Sequence, residues 1–108
     1  MGLDVSVVAN GLNEDHFEVV LNTKLSAKQD EKVAFLIELA FSTIVQINKD
    51  ILTSNQTESV LLVDVPQNAF PFLRAIIYNL MRDGGLPPFN LAPINFEALY
   101  QQNKKNVH

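Results

Sequence analysis

Histidine and carboxylate side chains are the groups in this sequence that could carry acid–base chemistry. Only two histidines are present, His16 and His108. Acyl transfer needs a nucleophile, a base and an orienting group brought together, and the base is usually histidine. His16 opens a predicted strand beside a polar turn and His108 is the last residue, so we expect both to be solvated.

Carboxylates occur as the pairs Glu14-Asp15 and Asp30-Glu31, and both pairs fall in predicted turns. No apolar wall is expected there to raise a pKa for general acid work. The chain has no cysteine and no paired histidine, so a metal centre is not expected. Gly84-Gly85 lacks the third glycine and the preceding strand of a dinucleotide loop. We therefore expect neither an enzyme nor a cofactor.

Composition favours a single soluble domain. The 108 residues are 47% hydrophobic and 19% charged, with twelve acidic and eight basic side chains and a net charge of −4. The acidic balance argues against nucleic acid, which requires clustered Lys and Arg, and mildly favours a basic or unfolded polypeptide partner. Without cysteine, an N-terminal signal or an apolar run of spanning length, we expect a cytoplasmic protein with no direct membrane insertion.

Period-two alternation predicts three strands, at about residues 3–12, 16–26 and 32–47. Asn10-Gly11 is a hairpin signal. Asn13-Glu14-Asp15 is an equally polar turn three residues later, so the residues alone leave both turns open. An antiparallel meander with one apolar face needs a cover, and the two predicted helices can supply it. The predicted fold class is α+β.

The segment 48–59 is polar and is interpreted as a crossover loop, and Val60 to Val65 is interpreted as extended. A long helix is predicted over about residues 68–82, beginning between Pro66 and Pro71, because proline is tolerated at a helix start. Leu73, Ile76, Ile77, Leu80 and Met81 are expected on its apolar face. Gly84-Gly85 should stop this helix, and Asn95 should cap a second one over about residues 96–104.

Two stretches carry a resemblance to a known family. The pattern F-P-F-x-R from Phe70, followed by D-G-G-L-P-P-F-N-L-A-P-I-N-F-E-A-L-Y from Asp83 to Tyr100, resembles the SecB family of export chaperones. F-E-V-V-L from Phe17 and A-F-L-I-E-L from Ala34 are similar to central strands of that family. The resemblance aligns the family's hairpin turn with Asn13-Glu14-Asp15, so we prefer that turn, which leaves Gly11 as a possible bulge. The family's first strand has no counterpart before Leu3. The resemblance implies an ATP-independent holdase that binds unfolded precursor proteins for export through the Sec translocase.

The resemblance also implies two sites. A client-binding groove would be lined by apolar residues of the sheet, the loop and the second helix: Phe35, Leu86, Phe89, Phe96 and Tyr100. A docking face for the translocation ATPase SecA would use Leu36 and Glu38 on the polar side of the long strand. For any one of the groove residues taken alone, a place in the core is the simpler interpretation.

Two other functions stay open at this point, a SecB-like chaperone of a toxin–antitoxin system and a scaffold protein that keeps the fold without the groove. The relatives implied by the resemblance are dimers of dimers. The long helix carries apolar residues outside one stripe, including Phe72, and an unpaired sheet edge tends to pair with another chain. We therefore expect a homo-oligomer, a dimer or a tetramer.

Overall fold

The computed structural model describes residues 2–30, 32–48, 50–86 and 91–106. Three strands come first, β1 (Gly2–Gly11), β2 (His16–Gln29) and β3 (Lys32–Gln46). Helix α1 (Ser54–Ser59), a π-helical turn (Val60–Asp64) and helix α2 (Val65–Asp83) then follow without a break. Helix α3 (Phe96–Asn106) comes last. The predicted α+β class is confirmed.

The strands form one antiparallel sheet in the order β1-β2-β3. The hairpin turn lies at Asn13 to Asp15, as predicted, because the Asn13 side chain accepts the backbone N–H groups of Asp15 and His16 at 3.1 and 2.9 Å. The bulge considered at Gly11 is wrong, since Gly11 pairs regularly with Phe17. The irregularity in the sheet lies instead at Ala27 and Lys28, opposite β3.

Side-chain alternation along β3 gives the sheet an inner and an outer face. The odd-numbered residues from Phe35 to Val45 are partly buried, and the even-numbered residues from Leu36 to Gln46 are exposed. Helix α2 packs against β2 and β3 on the inner side. The single apolar face predicted from the sequence is therefore the face that the helix covers.

The crossover loop predicted for residues 48–59 is wrong in its second half, where Ser54–Ser59 form α1. Thr53 and Gln56 make a reciprocal capping box: Thr53 Oγ1 accepts the Gln56 N–H at 3.2 Å, and Gln56 Oε1 accepts the Thr53 N–H at 2.9 Å. The extended segment predicted for Val60 to Val65 is also wrong. These residues continue the helix through the π-helical turn, a geometry that buries Leu61 and Val63.

The start of the long helix predicted between Pro66 and Pro71 is wrong as well. Helix is continuous from Ser54, Pro66 lies in the first turn of α2, and Pro71 lies in its interior. An interior proline removes one backbone hydrogen bond. Burial of Phe70 and Leu73 on either side of it offsets that loss.

The predicted stop after α2 is confirmed. Gly85 takes φ +75°, and the Leu86 N–H donates to the Met81 carbonyl at 2.9 Å, so the last turn closes on a left-handed glycine. By length and composition alone, the continuous helix from Ser54 to Asp83 could cross a membrane. Core helices of soluble proteins share that property, and this helix packs on the sheet.

The main core lies between α2, β2 and α3. Its buried residues are Leu21, Leu25, Val63, Ala69, Phe70, Leu73, Ile77, Met81, Leu91 and Phe96. A smaller cluster of Val19, Ile47 and Leu61 joins the end of the sheet to the π-helical turn. The predicted apolar face of α2 is only partly correct: Leu73, Ile77 and Met81 are buried, whereas Ile76 and Leu80 are exposed. The apolar surface of the helix is wider than the sheet covers.

Candidate functional site

Three of the residues predicted for the groove lie at the margin of the main core. Phe35 from β3, Leu86 after α2 and Tyr100 from α3 are all partly buried and pack against that core. Each keeps part of its surface accessible while its remaining surface is held by the core. The structure therefore places them around one apolar centre, with strand, loop and helix each supplying one side chain.

Phe96 lies deeper than the sequence predicts. Its ring is only 1% exposed and meets Phe70 edge to face, with ring centroids 6.0 Å apart. The Arg74 guanidinium lies 5.9 Å from the centroid of the Phe70 ring on the helix side. Phe96 thus supports the margin from within and does not line it. Phe89, the fifth predicted residue, lies outside the described residues.

Helix α3 is positioned from its first turn. The Asn95 side chain accepts the Ala98 N–H at 3.0 Å, so the predicted N-cap is confirmed. The helix packs on the π-helical turn and leaves a cavity of about 130 Å³ beside β1. Leu99 and Tyr100 line it together with Val7, Leu62 and Asn103. Leu62 was not expected beside this cavity, because the sequence predicted an extended segment from Val60 to Val65. Val7 was not expected there either.

A second apolar surface runs along one side of α2. Phe72, Ile76 and Leu80 repeat every four residues and are all exposed, Phe72 to 65%. We call these three residues the α2 flank. Beside it, a cavity of about 370 Å³ separates the helix from β3, lined by Phe41, Thr43, Val45, Val65, Asn68, Ala69 and Phe72. This cavity was not predicted from the sequence, although the four-residue spacing of the flank could have indicated it.

The outer face of the sheet carries the two residues predicted to dock a partner. Leu36 is 50% exposed, Glu38 is exposed, and both side chains lie on the side away from α2. Strand register places Glu38 opposite Lys24, which in turn lies opposite Asp4. This row of alternating charge borders a shallow depression of about 450 Å³. The strand assignment that motivated the two residues is thus correct, and their role remains a prediction.

The polar residues at the β1–β2 turn form a local network. His16 Nδ1 lies 2.9 Å from Asp15 Oδ1 and 3.0 Å from Asn13 Oδ1. Hydrogen bonds from Gln46 and from His16 lower the pKa of Asp15 below its ordinary value. The Asp15 carbonyl also accepts the Ile47 N–H at 2.7 Å. The contacts of these residues join the hairpin turn to the end of β3.

The chain is similar in sequence to the proteins of one known family. The family described as Preprotein translocase subunit SecB matches residues 1–107. Protein-export protein SecB of Paramagnetospirillum magneticum is 41% identical over 99 residues, which are 92% of this chain and 61% of the relative. The protein of the same name from Bradyrhizobium diazoefficiens is 36% identical over 103 residues, 95% of this chain and 63% of the relative. The chain thus spans about three-fifths of the length of these relatives.

Proposed function

The chain belongs to the SecB family, and from that premise we propose that it is an ATP-independent holdase for unfolded precursor proteins. Export through the Sec translocase is the favoured duty, because the curated relatives are named protein-export proteins. Neither the family match nor the names of the relatives favour the toxin–antitoxin alternative or a scaffold role. The proposed place of action is the cytoplasm.

The observation that carries the proposal is the amount of apolar surface left open around the core. Phe35, Leu86 and Tyr100 remain partly accessible at its margin. An unfolded precursor presents apolar and aromatic side chains in extended segments. Burying such side chains against a fixed apolar margin gains roughly 25 cal/mol for each Å² removed from water. Several shallow contacts of this kind suit a client with no defined sequence.

Release of the client would depend on a partner, because the proposed mechanism contains no reaction that could drive it. We assign docking of SecA to the outer face of the sheet around Leu36 and Glu38. This face is separated from the client margin by the thickness of the sheet. A partner could therefore bind while the client is still held, and competition for the chaperone would complete the transfer.

Self-association is part of the proposal. The α2 flank exposes three large apolar side chains in one line, and contiguous exposed apolar surface commonly marks an interaction site. A homo-oligomer would cover it. A dimer is the smallest assembly that does so, and a tetramer could follow from pairing of dimers.

Suppression of aggregation is the direct test. A chemically unfolded export precursor is diluted into buffer with and without the protein, and light scattering is followed. We expect scattering to be suppressed at micromolar chaperone or below, which corresponds to roughly −8 kcal/mol of binding. Unchanged scattering with a large excess of the folded protein would contradict the holdase proposal and favour the scaffold alternative.

A further inference from the structure

The π-helical turn (Val60–Asp64) changes the hydrogen-bond register of the continuous helix. At its start, the Val60 N–H donates to the Gln56 and Thr57 carbonyls, which is the spacing of an α-helix and of a tighter turn. At its end, the Val65 N–H donates to the Val60 carbonyl, five residues back. The segment therefore holds one residue more than an α-helical turn would.

Pro66, the residue directly after this bond, favours the wider turn. In an α-helix its ring would meet the Leu62 carbonyl, and proline has no N–H to donate to that carbonyl. The Pro66 side chain is fully buried. Pro71 shows that a proline does not by itself force the change, because α2 keeps its α-helical geometry around that exposed residue. At Pro66 the packing of the turn acts together with the proline.

Successive residues of the turn have different surroundings. Leu61 is buried in the smaller cluster with Val19 and Ile47, and Val63 is buried in the main core. Leu62, between them, is partly buried and lines the cavity of about 130 Å³ beside β1. All three side chains of the turn are aliphatic, so composition does not decide which of them reaches the cavity. The register decides it, since a turn shorter by one residue would rotate every preceding side chain by about 100°.

The cavity adjoins the margin of the main core. Tyr100 lines the cavity and also packs at that margin. Val7 and Leu99 are partly buried apolar walls, and Asn103 adds one polar side chain. The volume is close to the about 150 Å³ of an engineered apolar cavity that binds benzene. One aromatic or branched aliphatic side chain would fill it.

We infer that Pro66 is a positioning residue for client binding. It holds the π register that places Leu62 in the wall of this cavity, where one large apolar side chain of an unfolded precursor is bound. The inference rests on the proposed holdase function and adds to it a single enclosed contact beside the shallow ones at the margin. Clients should accordingly be selected for isolated aromatic or branched aliphatic side chains in extended segments.

Thiol labelling tests the register, because the chain has no cysteine of its own. Leu61→Cys, Leu62→Cys and Val63→Cys are made singly, and their rates of reaction with a maleimide are measured. The cysteine at position 62 should react at least about tenfold faster than its two neighbours, which are reached only by local opening. In a Pro66→Ala background the turn can take the α register, so this preference should fall below about threefold. Pro71→Ala, at the other proline of α2, is the matched control and should leave the preference unchanged.

Labelling in the presence of a client tests the contact. An excess of a chemically unfolded export precursor should slow the labelling of Leu62→Cys at least about fivefold, because the bound side chain fills the cavity. Ser54→Cys, in the exposed first turn of α1, is the control and should react at an unchanged rate.

A polar substitution gives a second readout, the suppression of precursor aggregation. Leu62→Asn and Pro66→Ala should each weaken it about tenfold. Ile51→Asn makes a matched change at a side chain that is 74% exposed and should leave it unchanged. Circular dichroism and urea denaturation of each variant check that the fold is kept. The labelling and holding tests at position 62 do not depend on the folding of Pro66→Ala.

Two results would overturn the inference. An unchanged labelling preference in folded Pro66→Ala would show that Pro66 does not hold the register. Equal labelling of Leu62→Cys with and without precursor, while the unsubstituted protein suppresses aggregation, would place the client elsewhere and leave the holdase proposal standing. Failure of the unsubstituted protein to suppress aggregation would instead contradict the holdase proposal, and the inference with it.

Discussion

Phe72 stacks on Phe41 with ring centroids 6.5 Å apart and 15° between the ring planes, although Phe72 is 65% exposed. One ring belongs to α2 and the other to β3, so this contact fixes the side of the helix that faces the strand edge. Phe41 is partly buried, whereas Phe72 leaves most of its surface exposed. The next helical residue, Leu73, is fully buried, so neighbouring positions of α2 have opposite environments.

This contrast gives a stability prediction. Leu73→Ala removes a side chain that is 0% exposed and should lower the free energy of unfolding by about 2–5 kcal/mol. Phe72→Ala should lower it by less than about 1 kcal/mol at dilutions where the protein is monomeric. Urea denaturation of both variants at several protein concentrations measures the difference. Equal losses at the lowest concentration would contradict the assigned burial.

Client holding should depend on the accessible residues at the core margin. We expect Phe35→Ala and Tyr100→Ala each to weaken suppression of aggregation several-fold, because each removes apolar contact area available to a client. Leu12→Ala, at the exposed hairpin turn, is the control and should leave holding unchanged. Holding is compared with the urea midpoint of each variant. A loss of holding that only follows the loss of stability would mean that Phe35 and Tyr100 act as core residues.

Docking of SecA should depend on the outer face of the sheet. Leu36→Gln and Glu38→Lys replace exposed side chains, so each should change stability by no more than roughly half a kcal/mol. Both should weaken association with SecA in a calorimetric or optical titration. Asp83→Lys makes the same charge change as Glu38→Lys at the end of α2 and is the control. Unchanged affinity in both face variants would remove the support for this docking surface.

The free energy of unfolding at acidic pH should depend on Asp15. Hydrogen bonds from Gln46 and His16 lower its pKa in the folded protein. The ionised carboxylate therefore contributes stability above its unfolded pKa, near 4, and that contribution is lost as the pH falls through the lower folded pKa. Asp15→Asn should thus be less stable than wild type at pH 7, with the difference shrinking toward pH 3.

The N-cap of α3 should contribute measurable stability. Asn95→Ala removes the acceptor for the Ala98 N–H and should lower the free energy of unfolding by about 1 kcal/mol. Asn95→Asp should keep most of the stability that the cap contributes. Asn103→Ala, an exposed change within the same helix, should be neutral or slightly stabilising. Thermal unfolding by circular dichroism is sufficient. A stable Asn95→Ala variant would show that packing of Phe96 alone holds the start of α3.

Local sequence signals accounted for the sheet and for both ends of the loop between the helices. Period-two alternation in β3 can be recognised without knowledge of any distant contact. The same is true of the turn at Asn13, whose side chain accepts backbone N–H groups two and three residues further along the chain. The same holds for the stop at Gly85 and the cap at Asn95. Each of these depends on backbone sterics or on a partner within four residues, so the sequence determined them.

Segments whose conformation depends on distant partners were predicted incorrectly. The polar residues of α1 have no amphipathic pattern, and the turn that follows them is helical because Leu61 and Val63 are buried against other elements. The capping box of Thr53 and Gln56 is, by contrast, a local signal that was missed. Pro71 marks a helix start when only its neighbours are considered. In the folded chain, contacts of Phe70 and Leu73 with the core carry the helix through it.

The helix periodicity of α2 fits a broad apolar surface, and it does not by itself determine which part of that surface faces the sheet. Packing on β2 and β3 buries Leu73 and Ile77 and leaves Ile76 and Leu80 outside. Tertiary structure likewise placed Phe96 inside the core and Tyr100 at its margin. The sequence therefore determined which side chains are apolar and how they repeat. Only the three-dimensional arrangement decided which of them remain exposed to a partner, because burial depends on what each element packs against.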